Sequence, residues 1–425
     1  MVTAGEQNPE PAAHPHGLRV MSGRDPAELH RVATPLELLF DLTFVVAFGV
    51  AASELAHLLA EGHIRAGLIG FGFAVLLVCW AWVGFSWFAS AYDTDDWVYR
   101  LLTMLQMVGV IILALGLPPM YASIDKGEHI ANRTVVAGYV VMRIALVALW
   151  IRAATQDPAR RSICLTYAAT LSVFQIGWIG IMIVDASLPV TFVLVGLMTA
   201  AELAGPWLIE TRKGSAPWHA HHIAERYGLL TIIALGEGIV GTVASLSAEV
   251  TVEGWTVDAV LVAVAGIGLT FGMWWIYFVV PSSHLLHANR RKAIRFGYSH
   301  IPLFGSIVAT GAGLHAAAYY IDHHSTLSSV GTVLTVAIPV GVYIGSIYLL
   351  FTLLVSEWDS FHTLMLVLTG AVLVGAVALA AAGVSMAVCL LIITLAPMVT
   401  ILGFELVGHR HGVDVVNRRL AEGAL

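Results

Sequence analysis

Fewer than one residue in eight of this 425-residue chain is charged, so charges that recur at regular spacing are the first places to look for chemistry. Glu37 and Asp41 stand four apart inside an apolar stretch, which puts both carboxylates on one helix face. Like charges at that spacing repel, so they call for a basic partner or one shared proton. Arg31 and Arg100 are the expected partners. Farther along, His219-Ala-His221-His222-Ile-Ala-Glu225-Arg226 opens another apolar stretch, with Glu237 twelve residues after Glu225. At 1.5 Å per residue, Glu237 lies about 18 Å deeper along a helix, near the midplane of a bilayer. Arg143 is the cation expected at that depth, and pairing it with Glu237 would leave neither charge uncompensated in hydrocarbon. Glu202 precedes Gly205-Pro206, where a proline-broken helix beside a carboxylate suits a proton or cation site. His219, His221, His222 and Glu225 have ligand chemistry and are the candidates for a metal site, although the run lacks HExxH spacing.

The elements that position these groups follow from composition. The chain is 58% apolar and carries 21 Lys and Arg against 28 Asp and Glu, about half the charge of a soluble domain. Polar breaks divide it into twelve stretches long enough to cross a bilayer, at about 36–59, 66–91, 98–122, 133–152, 162–184, 188–209, 222–247, 255–280, 298–320, 327–355, 362–381 and 384–406. The expected architecture is all-α: a polytopic integral membrane protein of about 12 transmembrane helices. Residues 1–33 lack an apolar core and read as a disordered N-terminal tail, and residues 409–425 as a C-terminal tail. Threading the twelve spans puts seventeen Lys and Arg on the side of the N-terminus and three, Arg65, Lys126 and Arg133, on the other. Cytoplasmic segments collect positive charge, so both termini are expected in the cytoplasm.

A repeat appears at an offset of 188 residues: Glu37 matches Glu225, Leu42-Thr43 matches Leu230-Thr231, and Gly84 and Trp87 match Gly272 and Trp275. It divides the chain into two six-helix halves, 34–210 and 211–408, in parallel orientation.

Several function classes drop out. With net charge −7 and no basic block longer than Arg290-Arg291-Lys292, nucleic acid is not an expected partner. That basic turn suits anionic lipid headgroups. Cys79, Cys164 and Cys389 lack CxxC pairing and read as packing residues. No hydrolase, P-loop or dinucleotide motif calls for a cofactor. Membrane lipids and an unidentified small solute or ion are the expected partners, and a homo-oligomer is left open.

Three blocks carry a family resemblance: Thr34-Pro-Leu-Glu-Leu-Leu-Phe-Asp-Leu-Thr-Phe-Val-Val-Ala-Phe48; Trp80-Ala-Trp82 with Trp87-Phe-Ala-Ser-Ala-Tyr-Asp-Thr-Asp-Asp96 and Arg100; and His222-Ile-Ala-Glu-Arg-Tyr-Gly-Leu-Leu-Thr-Ile-Ile-Ala-Leu-Gly-Glu237. The chain resembles the bacterial low temperature requirement A (LtrA) family. That resemblance implies a multi-pass protein of the bacterial inner membrane linked to growth in the cold. It carries over to Glu37, Phe40 and Asp41, to Asp93 through Arg100, and to His222, Glu225, Arg226 and Glu237. Family members more often have Ser where this chain has Gly238, so no hydroxyl role transfers there. Parallel halves, a midplane carboxylate and a Gly-Pro break fit a proton-coupled secondary transporter. The alternatives are an ion or proton channel, with Phe40-Asp41 in the first helix, and a membrane-embedded enzyme or lipid-binding protein using the His and Glu cluster.

Overall fold

The computed structural model describes residues 17–408 apart from 27, 29, 30, 128, 129, 185 and 359. Among the described residues there is no strand, and twelve helical segments are long and apolar enough to cross a membrane. The first six are α1 (Pro35–Ala60), α2 (Ile64–Tyr92), α3 (Trp97–Lys126), α4 (Arg133–Gln156), α5 (Arg161–Val184) and α6 (Leu188–Lys213). The seventh span joins α7 (Ala220–Ala234) to α8 (Gly236–Glu253), and the eighth joins α9 (Val257–Val279) to α10 (Ser282–Ala288). The ninth to eleventh are α11 (Ala293–Ile321), α12 (Ser329–Val355) and α13 (Ser360–Ala381), and the twelfth joins α14 (Met386–Ile393) to α15 (Leu395–Gly403). Residues 409–425, with Arg410, Arg418 and Arg419, lie outside the described residues, as do residues 1–16 and Asp185, expected in the break between spans five and six.

Local chemistry sets the span ends. Thr34 and Glu37 form a reciprocal capping box around Pro35 at the first turn of α1, so Glu37 helps to start the helix as well as carrying charge. Asp96, Thr256, Ser328 and Ser385 cap α3, α9, α12 and α14 by accepting from backbone N–H groups. Proline does not break α6, which runs continuously through Pro206, contrary to the expectation from Gly205-Pro206. The interruptions fall at Leu235 and Thr394. Gly236 and Gly238, the weakest helix formers after proline, follow the first. Pro397 cannot donate to the Ile393 carbonyl, which ends α14 there.

Part of the N-terminal segment, residues 19–23, departs from the expected disordered tail. Met21 is fully buried, and its N–H donates to Gln156 Oε1 at 2.7 Å. The Gly23 N–H donates to Asp157 at 3.1 Å, and Arg19 donates to the Thr94 carbonyl at 3.2 Å. Polar groups at the ends of α2, α3 and α4 give this segment partners that its own composition does not reveal.

Packing is arranged around α11, which contacts α1, α2, α7, α8 and α12 and is the most enclosed span, whereas α5, α6 and α13 lie at the periphery. Leu101, Met104, Leu105, Val108, Ile111 and Leu115 form an exposed apolar stripe along α3, as expected where lipid is the solvent. Small residues allow the closest crossings. A Cβ on Gly138 would lie 2.5 Å from the Gly109 carbonyl oxygen, so α3 and α4 meet backbone to backbone. Gly138→Ala should therefore lower stability by about 1–3 kcal/mol, the usual cost of overpacking. Gly72→Ala, with nothing within 4 Å of the new methyl, should not. Thermal unfolding of the two detergent-solubilised variants checks the difference.

Candidate functional site

Two helices that start on the same side of the bundle build the first charged cluster. Glu37 and Asp41 project from one face of α1, and His222 and Arg226, also four apart, from one face of α7. His222 Nε2 lies 3.2 Å from Glu37, and Arg226 Nη2 donates to Asp41 at 2.6 Å. Each pair spans 185 residues of sequence. A constant offset means that α1 and α7 run parallel; an antiparallel pair would keep a constant sum. Arg226 Nη1 closes the cluster 2.9 Å from Glu37. Trp82 Nε1 donates to Asp41 at 2.6 Å from α2, and the Thr34 N–H donates to Glu37 at 2.8 Å. All four titratable members are fully buried.

The partner of Glu37 and Asp41 is therefore Arg226, and the expectation of Arg31 or Arg100 is corrected. Arg100 is partly exposed and makes a two-pronged contact with Asp95, both bonds 2.8 Å. Arg31 donates to the Ala89 carbonyl at 2.7 Å and to the Ser90 carbonyl, satisfying the end of α2, and lies 4.0 Å from Asp93. Asp93 sits in the connection between α2 and α3. Burial, and then the nearby Glu37 charge, push its carboxyl up to about 6, with Arg31 opposing.

A second ionic pair lies in the first half. Arg143 of α4 and Glu202 of α6, both buried, meet at 2.7 Å. Arg143 Nη2 also donates to the Tyr139 hydroxyl at 2.7 Å, and Trp178 Nε1 donates to the other Glu202 oxygen at 2.9 Å. The expected Arg143–Glu237 pair is thus overturned. Both side chains sit deep in their spans, but Arg143 turns toward α6, whereas Glu237 of α8 rests against Gly49 of α1 and Gly311 of α11. Glu237 is buried in the first turn after the seventh-span break, and among the described residues no cation lies within ion-pair distance of it.

The candidate metal ligands are divided among other tasks. His219 caps α7 through one ring nitrogen, and the other lies 2.6 Å from the Glu28 carbonyl. His222 faces Glu37, and Glu225 accepts from the Ala33 N–H at 3.2 Å. The His221 ring packs near those of His284 and His287, with centroids 5.9 and 5.8 Å away. Among the described residues, no three His, Cys, Asp or Glu side chains are placed to hold a metal.

Sequence reasoning assigned no role to Trp82, Tyr139, Trp178 or His300. Tyr139 stands four before Arg143, a spacing that could have marked it as a partner. His300 is buried on α11, with Nε2 3.0 Å from the Tyr277 hydroxyl and Nδ1 2.7 Å from the Phe296 carbonyl. Beside the Arg143–Glu202 pair lies a cavity of about 90 Å³, walled mainly by aromatic side chains of α2, α4, α5 and α11.

Twelve apolar spans enclosing buried ionic clusters define a multi-pass α-helical membrane protein. Residues 32–397 match the bacterial low temperature requirement A protein (LtrA) family, and the chain belongs to it. It is 27% identical over 318 residues to an uncharacterised protein of Rhizobium meliloti (strain 1021), an alignment covering 71% of this chain and 72% of that one. No solved structure matches the chain.

Two outcomes follow from the charged groups. Arg226→Met strands two buried carboxylates and should cost about 3–5 kcal/mol. Adding Glu37→Gln and Asp41→Asn should recover much of the loss, read as folded yield after size-exclusion chromatography. For Asp93, a raised pKa means that the native state binds the proton more tightly than the unfolded chain between about pH 4 and 6. Asp93 thus lowers stability as pH rises through that window, and Asp93→Asn should flatten the dependence in unfolding scans from pH 4 to 7.

Proposed function

We propose that this LtrA-family protein is a proton-coupled secondary transporter of a small solute, set in the bacterial inner membrane with both termini cytoplasmic. The observation that carries the reading is Glu237: a buried carboxylate, without a cation among the described residues, in the first turn after an interrupted span. A carboxylate kept for structure has a partner, as Glu37 and Asp41 do. Ionisable groups at membrane depth otherwise mark relays and ion paths. A carboxylate can take up and release a proton, and one at the break of a discontinuous helix suits a coupling site.

Neighbour order supports two parallel halves. Helix α1 packs on α2 and α3, α3 on α4, α4 on α5, and α5 on α6. In the second half, α8 packs on α9 and α11, α11 on α12, α12 on α13, and α13 on α14 and α15. The parallel course of α1 and α7 fits the same arrangement, and the excess of Lys and Arg on the N-terminal side supports the orientation.

The test is solute-driven proton movement in proteoliposomes loaded with a pH dye, screened with small organic acids, amines and sugars. Wild-type protein should acidify or alkalinise the lumen with at least one class. Glu237→Gln keeps the shape but cannot titrate, so it should fold with an unchanged elution profile and lose that proton movement. Retention of wild-type proton flux by the folded variant would overturn the reading.

A further inference from the structure

The cavity beside Arg143 is built for more than packing. It lies between α2, α4, α5, α6 and α11, with Trp80, Trp87, Trp150, Tyr167, Phe174 and Tyr298 among its walls and Arg143 and Glu202 side by side on them. Arg143 commits only Nη2 to protein partners, donating to Tyr139 and Glu202. No hydrogen bond to another described residue uses its Nη1 or Nε, although the side chain is only 5% exposed. Nη1 lies 3.1 Å from where a Cβ on Gly84 would stand, and Gly84 lines the cavity. The glycine thus leaves the free edge of the guanidinium open to an occupant.

We propose that this cavity binds a small monocarboxylate together with one proton, the carboxylate taking Arg143 in place of Glu202. The proposal deepens the transporter reading and rests on it for the site's purpose. A guanidinium edge with unused N–H groups matches a carboxylate in charge and fork geometry. Ammonium groups lack the equivalent opening, because both Glu202 oxygens already accept, from Arg143 and from Trp178. Arg143 is the one cation among the lining residues, so a dicarboxylate would leave a charge unmatched. Size narrows the class further. An apolar cavity of about 150 Å³ holds benzene, so about 90 Å³ suits an acid of two to four carbons, its short body against the aromatic walls.

The proton follows from charge bookkeeping. With the site empty, Arg143 and Glu202 sum to zero. An anion entering alone would set two carboxylates against one guanidinium in a low-dielectric setting. If Glu202 gains one proton as the anion arrives, an O–H bond forms on Glu202, Arg143 passes to the incoming carboxylate, and the sum stays zero. Arg143 and its partner Tyr139 of α4 face Glu202; the other charged and titratable groups of the cavity wall are Tyr167 of α5, Tyr298 of α11 and Glu210 of α6, which accepts from the Ser215 hydroxyl at 3.2 Å. Tyr298 donates its hydroxyl to the Leu203 carbonyl at 2.5 Å. Arg143 is therefore the one cation among these groups.

Propionate is the probe, titrated calorimetrically into the full-length protein in lipid nanodiscs between pH 6 and 8. Apparent affinity should fall about tenfold per pH unit, and buffers of different ionisation heat should report one proton taken up per propionate. Glu202→Gln should bind propionate at least as tightly as wild type at pH 6, with no proton uptake and no pH dependence. If neutral propionic acid were the ligand, that variant would keep the proton uptake, and the proposal would fail. Gly84→Val keeps the ion pair but crowds Nη1, so it should weaken binding at least tenfold with an unchanged elution profile. Propylammonium and propionamide should not compete. No propionate binding at 50 mM, binding without a proton, or tighter binding of propylammonium would each overturn the proposal. Proton-coupled movement of some other solute, with propionate unbound, sinks this site and spares the transporter reading. Propionate binding with one proton but no flux of any solute in proteoliposomes upholds the site and removes that reading.

Discussion

Arg226 is held between two carboxylates from about 190 residues earlier in the sequence, and the register of the first and seventh spans depends on that contact. A guanidinium cannot enter an apolar interior alone, and neither can Glu37 or Asp41; together they tie α7 to α1. The bond distances fix the rotation of both helices as well as their register, because a turn of either one would carry its pair of charges into hydrocarbon. Trp82 adds α2 to the same joint through its indole N–H. Glu37 also belongs to the capping box of α1, so the start of the first span and the start of the seventh are fastened at one point.

Three carboxylate environments in one bilayer-depth interior make a useful contrast. Glu37 and Asp41 are held by Arg226, His222, Trp82 and Thr34. Glu202 is also paired, but its partner keeps N–H groups unused on the wall of an aromatic cavity. Glu237 has small residues around it in place of charges, with Gly49 and Gly311 bringing two neighbouring helices against its side chain. Paired, half-committed and unpaired carboxylates differ in what a proton or a solute can change. That gradation, more than the number of acidic residues, separates the joint from the places where chemistry has room to occur.

Lipid as the solvent explains the distribution of the remaining residues. Leucine and valine stripes face outward on α3, while glycines and aromatic rings fill the interior. Helix association without a hydrophobic drive between spans relies on close backbone approach and on buried polar contacts. The α3–α4 crossing at Gly109 and Gly138 supplies the first, and the ionic clusters supply the second. Peripheral α5 and α6 close the outer side of the cavity beside Trp80 and Tyr298.

The twelve spans were legible in the linear chain because hydropathy over about 20 residues is a local property, and a polar break costs the same wherever the neighbouring helices lie. The acidic pair on α1 and the His222–Arg226 face on α7 were legible for a similar reason, since spacing of four defines a helix face without reference to any partner. Which face met which was decided only by lateral packing. Arg143 and Glu237 both sit deep in their spans, yet depth is one coordinate of three, and α4 directs its arginine to α6. Pro206 looked like a break because its ring removes a hydrogen bond, but α6 continues through it, and the true interruption falls at a glycine pair whose weakness becomes visible only once the seventh span is packed against α11. Arg19, Met21 and Gly23 read as tail by composition and are ordered by partners more than 70 residues away. Local polarity and periodicity therefore set the number of helices and the faces they carry, while the pairing of charges, the position of the break and the cavity depend on distances between helices that no single segment encodes.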